Sequence, residues 1–153
     1  MGLAGRLAEV LAGLWAGILV CIGAMAAPAA FATLASGDAG RVVSRLFAQE
    51  AYVSLAVAVI LMAIERKHSR HVAAAAPGSV FSANLMLLLG TLFCTVAGYF
   101  AVLPLMAAAR VGEGPVSFLT LHAVSAGLFV LKGLLVLALA WRLTLVSPTA
   151  TTS

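Results

Sequence analysis

The chain has 153 residues, 63% of them hydrophobic and 9% charged, against about 25% charged in a soluble domain, which excludes an ordinary water-soluble fold. Its apolar runs are continuous rather than alternating, which excludes a transmembrane β-barrel. The formal charge of +4 reads as membrane topology and not as affinity for nucleic acid.

With about 20 apolar residues needed per crossing, the hydropathy divides the chain into four helices, at about residues 7–34, 40–66, 82–110 and 115–142. The first has an apolar run about twice the 7–15 residues of a signal-peptide core, and Pro28 directly after Ala26 and Ala27 disfavours cleavage, so it is read as a membrane helix. Gly13, Gly17 and Cys21 lie four apart on it and share a face suited to helix packing. Residues 36 to 40, Ser-Gly-Asp-Ala-Gly, read as a tight turn. Helix two carries Glu50 near its start, beside Tyr52 and Ser54. Arg45, Arg110 at the end of helix three, and His122 lie toward the same membrane face, so an outer polar cluster of Glu50, Arg45, Arg110 and His122 is compatible with the spacing, with Arg45 and Arg110 as its charged rim.

Residues 69 to 81 form the longest polar or small-residue connection, read as a mobile linker. In helix three, Gly90, Cys94 and Gly98 repeat the four-residue spacing, and Asn84, Thr95 and Tyr99 supply polar lining. The turn at residues 111 to 115 leads to helix four, and residues 147 to 153 read as a disordered polar tail. Each half has a helix with a cysteine and then a proline, a turn and a return helix, a pattern compatible with duplication.

Helix four holds the sharpest anomaly, Lys132, the only charge inside its apolar run. A lysine at that depth costs about 2.5–3.5 kcal/mol on insertion scales, so it is expected to have a partner or a task. The partner is a helix carbonyl, a hydroxyl or Glu50; the task is a proton or anion site. Phe118, His122, Ser125, Phe129 and Lys132 follow a 4, 3, 4, 3 spacing and share a stripe turned to the bundle interior. His122 and Lys132 are ten residues apart, about 15 Å along the axis, too far to share one small ligand. The candidate polar interior is therefore Lys132, His122, Ser125, Glu50, Asn84, Thr95 and Tyr99. His122 is the only histidine within a predicted helix, and b-haem commonly takes two axial ligands. Cys21, Met25 and Cys94 are soft ligands of the kind that hold Cu(I), yet no Cys-x-x-Cys or Met-x-x-Met box accompanies them. No cofactor and no enzymatic activity are expected.

Arg6, Arg66, Lys67, Arg70 and Arg142 flank one membrane face, against Arg41, Arg45 and Arg110 on the other. The positive-inside rule then makes both termini and the middle loop cytoplasmic in a bacterial inner membrane. Residues 14–17, Ala27 and Pro28 with Phe31, Leu46 and Phe47 with Ala51 and Tyr52, residues 93–100, residues 121–125, and residues 131–133 with 140–142 together resemble the bacterial domain-of-unknown-function family 4149, itself similar to eukaryotic transmembrane protein 205. The resemblance implies a four-helix membrane protein and supplies no reaction. A more distant likeness to copper-resistance D and HemJ-type protoporphyrinogen oxidase proteins extends to architecture alone, since those families carry further transmembrane histidines.

The fold class expected is an all-α antiparallel bundle of four transmembrane helices. The expected role is handling of a proton, ion or small solute around Lys132, in a homodimer or with a membrane-protein partner. The alternatives are an assembly subunit of a membrane complex and a copper- or haem-related redox protein.

Overall fold

The computed structural model describes residues 2–73 and 82–145. Four helices are long and apolar enough to cross a membrane: α1, Leu3–Thr33; α2, Ser36–Ala73; α3, Ala83–Arg110; and α4, Phe118–Leu145. The chain is an integral membrane protein built as an all-α four-helix bundle. Among the described residues there is no strand.

Two boundaries differ from the sequence reading. Residues 36 to 40 form no turn but the first turn of α2, leaving only Leu34 and Ala35 as the link. Asp38 lies in that first turn, where a carboxylate meets the positive end of the helix dipole, and it pairs with Arg41 one turn on. At its other end α2 continues through Ala73 and takes His68 and His71 into helical backbone, so His122 is not the only helical histidine. The rest of the expected linker, residues 74–81, and the tail 147–153 lie outside the described residues. The turn before α4 rests on Gly112 and Gly114 at φ of 80° and 105°, a region that favours glycine. Ser117 caps α4 by accepting the Thr120 backbone N–H at 3.2 Å.

α1 and α3 each change winding once. Ile22–Ala26 and Val96–Val102 are π-helical, and each stands just before a proline, Pro28 or Pro104. A proline brings no N–H and crowds the carbonyl four residues back, and a widened turn relieves that crowding. In both halves the cysteine noted in the sequence precedes the π segment and the proline follows it.

The helices form a ring in chain order, α1 against α2 and α4, α3 against α2 and α4, with no close backbone approach across either diagonal. The half of the bundle that holds the chain termini is packed around Trp15, Leu19, Ala58, Leu61, Leu88, Val136 and Leu139. The half that holds the two short turns has a smaller cluster of Val102, Met106 and Leu121. Ala8, Ala12, Ala16 and Ala30 are the small residues that α1 buries; Gly13, Gly17 and Cys21 face outward, contrary to the packing stripe read from the sequence. On α3 the corresponding reading holds, because a methyl on Gly90 would lie 3.0 Å from Leu135 of α4 and one on Gly98 would lie 3.9 Å from Leu128.

Candidate functional site

Between the two core clusters stands a line of polar groups. Lys132 Nζ donates to both oxygens of Glu50, at 2.8 Å to Oε1 and 2.7 Å to Oε2. Lys132 is 4% exposed and Glu50 3%. Their helices, α2 and α4, are diagonal partners, so the long lysine arm crosses the bundle centre to reach the carboxylate. Ser54, one turn along α2 from Glu50, donates its hydroxyl to Glu50 Oε1. Ser54 Oγ in turn accepts the indole N–H of Trp15 from α1 at 2.8 Å. Three helices are thereby joined through one carboxylate.

The pair is enclosed on both sides. Toward the turns, Phe129 of α4 and Phe47 of α2 meet edge to face with ring centroids 5.0 Å apart, and Lys132 Nζ lies 5.3 Å from the Phe129 centroid, within the reach of a cation–π attraction. Toward the termini lies the core around Trp15 and Val136. Phe47 and Glu50 stand in the same relation as Phe129 and Lys132, three residues apart, and each contact joins residues 82 apart in the chain. The sequence halves thus present matching positions with opposite charge. Among the described residues no buried side-chain nitrogen or oxygen lacks a hydrogen-bond partner.

Of the two placements read for Glu50, the polar interior and the outer cluster, the structure has the first. Glu50 belongs to the interior with Lys132 and not to an outer rim with Arg45 and Arg110. Arg45 is exposed, and Arg110 sits with its guanidinium 4.9 Å from the centroid of Phe118. His122 is exposed too, its ring stacked on Phe118 with centroids 5.9 Å apart. Ten residues at 100° each leave His122 and Lys132 about 80° apart around α4, and Leu121 takes the buried position instead. Ser125 is half-buried between these levels. Asn84 lies near the termini, where its side-chain oxygen accepts from Arg142 Nε at 3.1 Å. Thr95 is buried but donates to the Thr91 carbonyl within its own helix at 2.8 Å. Tyr99 packs its ring on Tyr52 and Phe100, at centroid distances of 5.8 and 4.9 Å. Of the seven interior candidates, only Lys132 and Glu50 meet.

Trp15, Ser54 and Phe47 join the site although the sequence reading gave them no such part. The signals were present: Ser54 follows Glu50 by four residues on the same helix face, and a deeply placed indole N–H requires an acceptor. Cys21 is exposed and Cys94 buried, and among the described residues no three of His, Cys, Asp or Glu converge. Removing the hydroxyl by Ser54→Ala is expected to cost about 1–3 kcal/mol, because it strands the Trp15 N–H in the core. Chemical unfolding in detergent micelles measures this, and an unchanged midpoint would remove Ser54 from the network.

Neither a curated protein nor a solved structure matches the chain. A family match does exist, over residues 10–115; it takes in Trp15, Glu50 and Ser54 and ends before α4, where Lys132 lies. Covering more than half of the chain, it shows that the protein belongs to the domain of unknown function family DUF4149.

Proposed function

We propose that the working part of this membrane protein is the Glu50–Lys132 pair, which exchanges a proton, and with it an ion or small solute, at the centre of the bundle. One observation carries the reading: two opposite charges, each under 5% exposed, face each other across the diagonal, near the middle of spans that are otherwise apolar. Ionisable groups at that depth are expensive and mark functional sites by default. An apolar pair of similar volume would hold the helices at least as well. Passing one proton from Lys132 to Glu50 turns the pair into a neutral amine and acid, with no net charge left in the interior.

The flanking charges orient the protein. Arg6, Arg66, Lys67, Arg70 and Arg142 at the termini end outnumber Arg41, Arg45 and Arg110 at the turn end, which favours cytoplasmic termini in a bacterial inner membrane. A bundle this small, with its centre filled, favours a homodimer or a complex with a membrane partner as the working form. The proposal includes no enzymatic step and no cofactor.

Infrared difference spectroscopy in lipid nanodiscs tests the reading. On acidification a protonated-carboxyl band is expected that is absent from Glu50→Gln. If no such band appears at any pH where the bundle stays folded, the pair is a fixed brace. The second reading, a structural or assembly subunit, then stands; the complete hydrogen bonding of the buried side chains among the described residues favours it.

A further inference from the structure

The chain's two tyrosines, Tyr52 and Tyr99, meet on the outside of the bundle, at the seam of α2 and α3. Their rings stand edge to face, and Phe100 completes the cluster, 6.4 Å from Tyr52 and 4.9 Å from Tyr99 between centroids. Tyr52 is 59% exposed and Phe100 46%. Their depth is what sets the two phenols apart. The midpoint of the Ser36–Lys67 span falls between Ala51 and Tyr52, and that of Ala83–Arg110 between Val96 and Ala97, which leaves the two Cα atoms about 1 Å and 4 Å from the centre. Tyrosines that face lipid gather at the membrane surfaces, where the hydroxyl meets headgroups. From this level the edge of the hydrocarbon is about 15 Å away, further than the side chain reaches. Among the described residues neither hydroxyl has a hydrogen-bond partner, and a hydroxyl left so in hydrocarbon is unfavourable. The pair calls for a neighbour that carries donors and acceptors at the same depth.

We propose that this aromatic seam is the interface with a second copy of the chain, related by a two-fold axis along the membrane normal. Such an axis keeps every residue at its own depth, so the phenols of one copy meet those of the other at one level. A phenol is donor and acceptor at once, and the same two groups presented twice satisfy one another. Acyl chains offer neither. The three rings of each copy supply the packing, edge to face as they already stand within the chain. The interface gives the homodimer favoured for the working form its face, and it rests on that part of the proposed function. It leaves the Glu50–Lys132 pair untouched inside each bundle.

Single-molecule photobleaching of the full chain in liposomes, over a falling protein-to-lipid ratio, measures the dimer. The double variant Tyr52→Phe, Tyr99→Phe keeps both rings and loses only the hydroxyls, and is expected to weaken dimerisation about tenfold. Cysteine cross-linking locates the face. With Cys21 and Cys94 replaced by alanine, Ala56→Cys, one turn from Tyr52, or Val96→Cys, one turn from Phe100, is expected to give a disulfide-linked dimer in the bilayer. Val130→Cys, on an exposed position of α4, is expected to give none. A chain that stays monomeric, a dimer indifferent to the loss of both hydroxyls, or cross-linking through position 130 alone would each overturn the proposal. The infrared titration of Glu50 reads the bundle centre, so the proton-exchange reading stands or falls separately.

Discussion

Replacing Lys132 by Met is expected to destabilise the bundle by about 3–5 kcal/mol, and Glu50→Gln by a similar amount, whereas the double variant is expected to lie within about 1 kcal/mol of the unaltered chain. Each single change leaves one member of the pair at the bundle centre without its counter-charge. The double change removes both charges and leaves a glutamine amide that still accepts from Ser54. Steric trapping or chemical unfolding in bicelles reads the four stabilities, and the double-mutant cycle isolates the pair. Two single losses that simply add in the double variant would sink the claim that Glu50 and Lys132 act as a unit.

A second large effect is expected at Trp15, which is 1% exposed and lies at the junction of the core and the polar line. Within lipid the transfer part of a truncation falls away, since the unfolded helices are already in an apolar solvent; the lost packing remains. Trp15→Ala is therefore expected to cost about 2–4 kcal/mol through the cavity it leaves. Trp15→Phe keeps most of the volume and loses only the bond to Ser54, for about 1 kcal/mol. Thermal unfolding followed by circular dichroism measures both. The chain's other tryptophan, Trp141, is exposed, so the fluorescence lost with Trp15 comes from the buried site. Equal losses for the two variants would mean that the hydrogen bond, and not the packing, is what Trp15 contributes.

The architecture was legible because spanning a bilayer imposes one length and one composition on every helix, and four such stretches stand in the chain. Lys132 was legible for the same reason, as a charge where none is tolerated without cause. Its partner was not singled out. Starting helix two at Gly40 placed Glu50 ten residues in, whereas α2 begins at Ser36 and sets it fourteen residues in, about 6 Å deeper. That shift moves a carboxylate from the rim to the centre. The outward drift of His122 has a similar origin, a repeat of 3.5 residues laid on a helix of 3.6. The inward alanines of α1 were hidden because Gly13, Gly17 and Cys21 offer an equally regular small stripe on another face. Hydropathy sets depth only coarsely, and contacts across a diagonal depend on angles that no local pattern encodes.

The two members of the central pair reside on separate hairpins, Glu50 on the one made by α1 and α2, Lys132 on the one made by α3 and α4. Synthesis from the N-terminus delivers the hairpin with the carboxylate first. Until the second arrives, that first half carries a charge with no neighbour to neutralise it, and release into lipid is correspondingly unfavourable. Neither half is a comfortable resident of the membrane by itself, so the same contact that closes the bundle also ties the biogenesis of its first half to completion of the second.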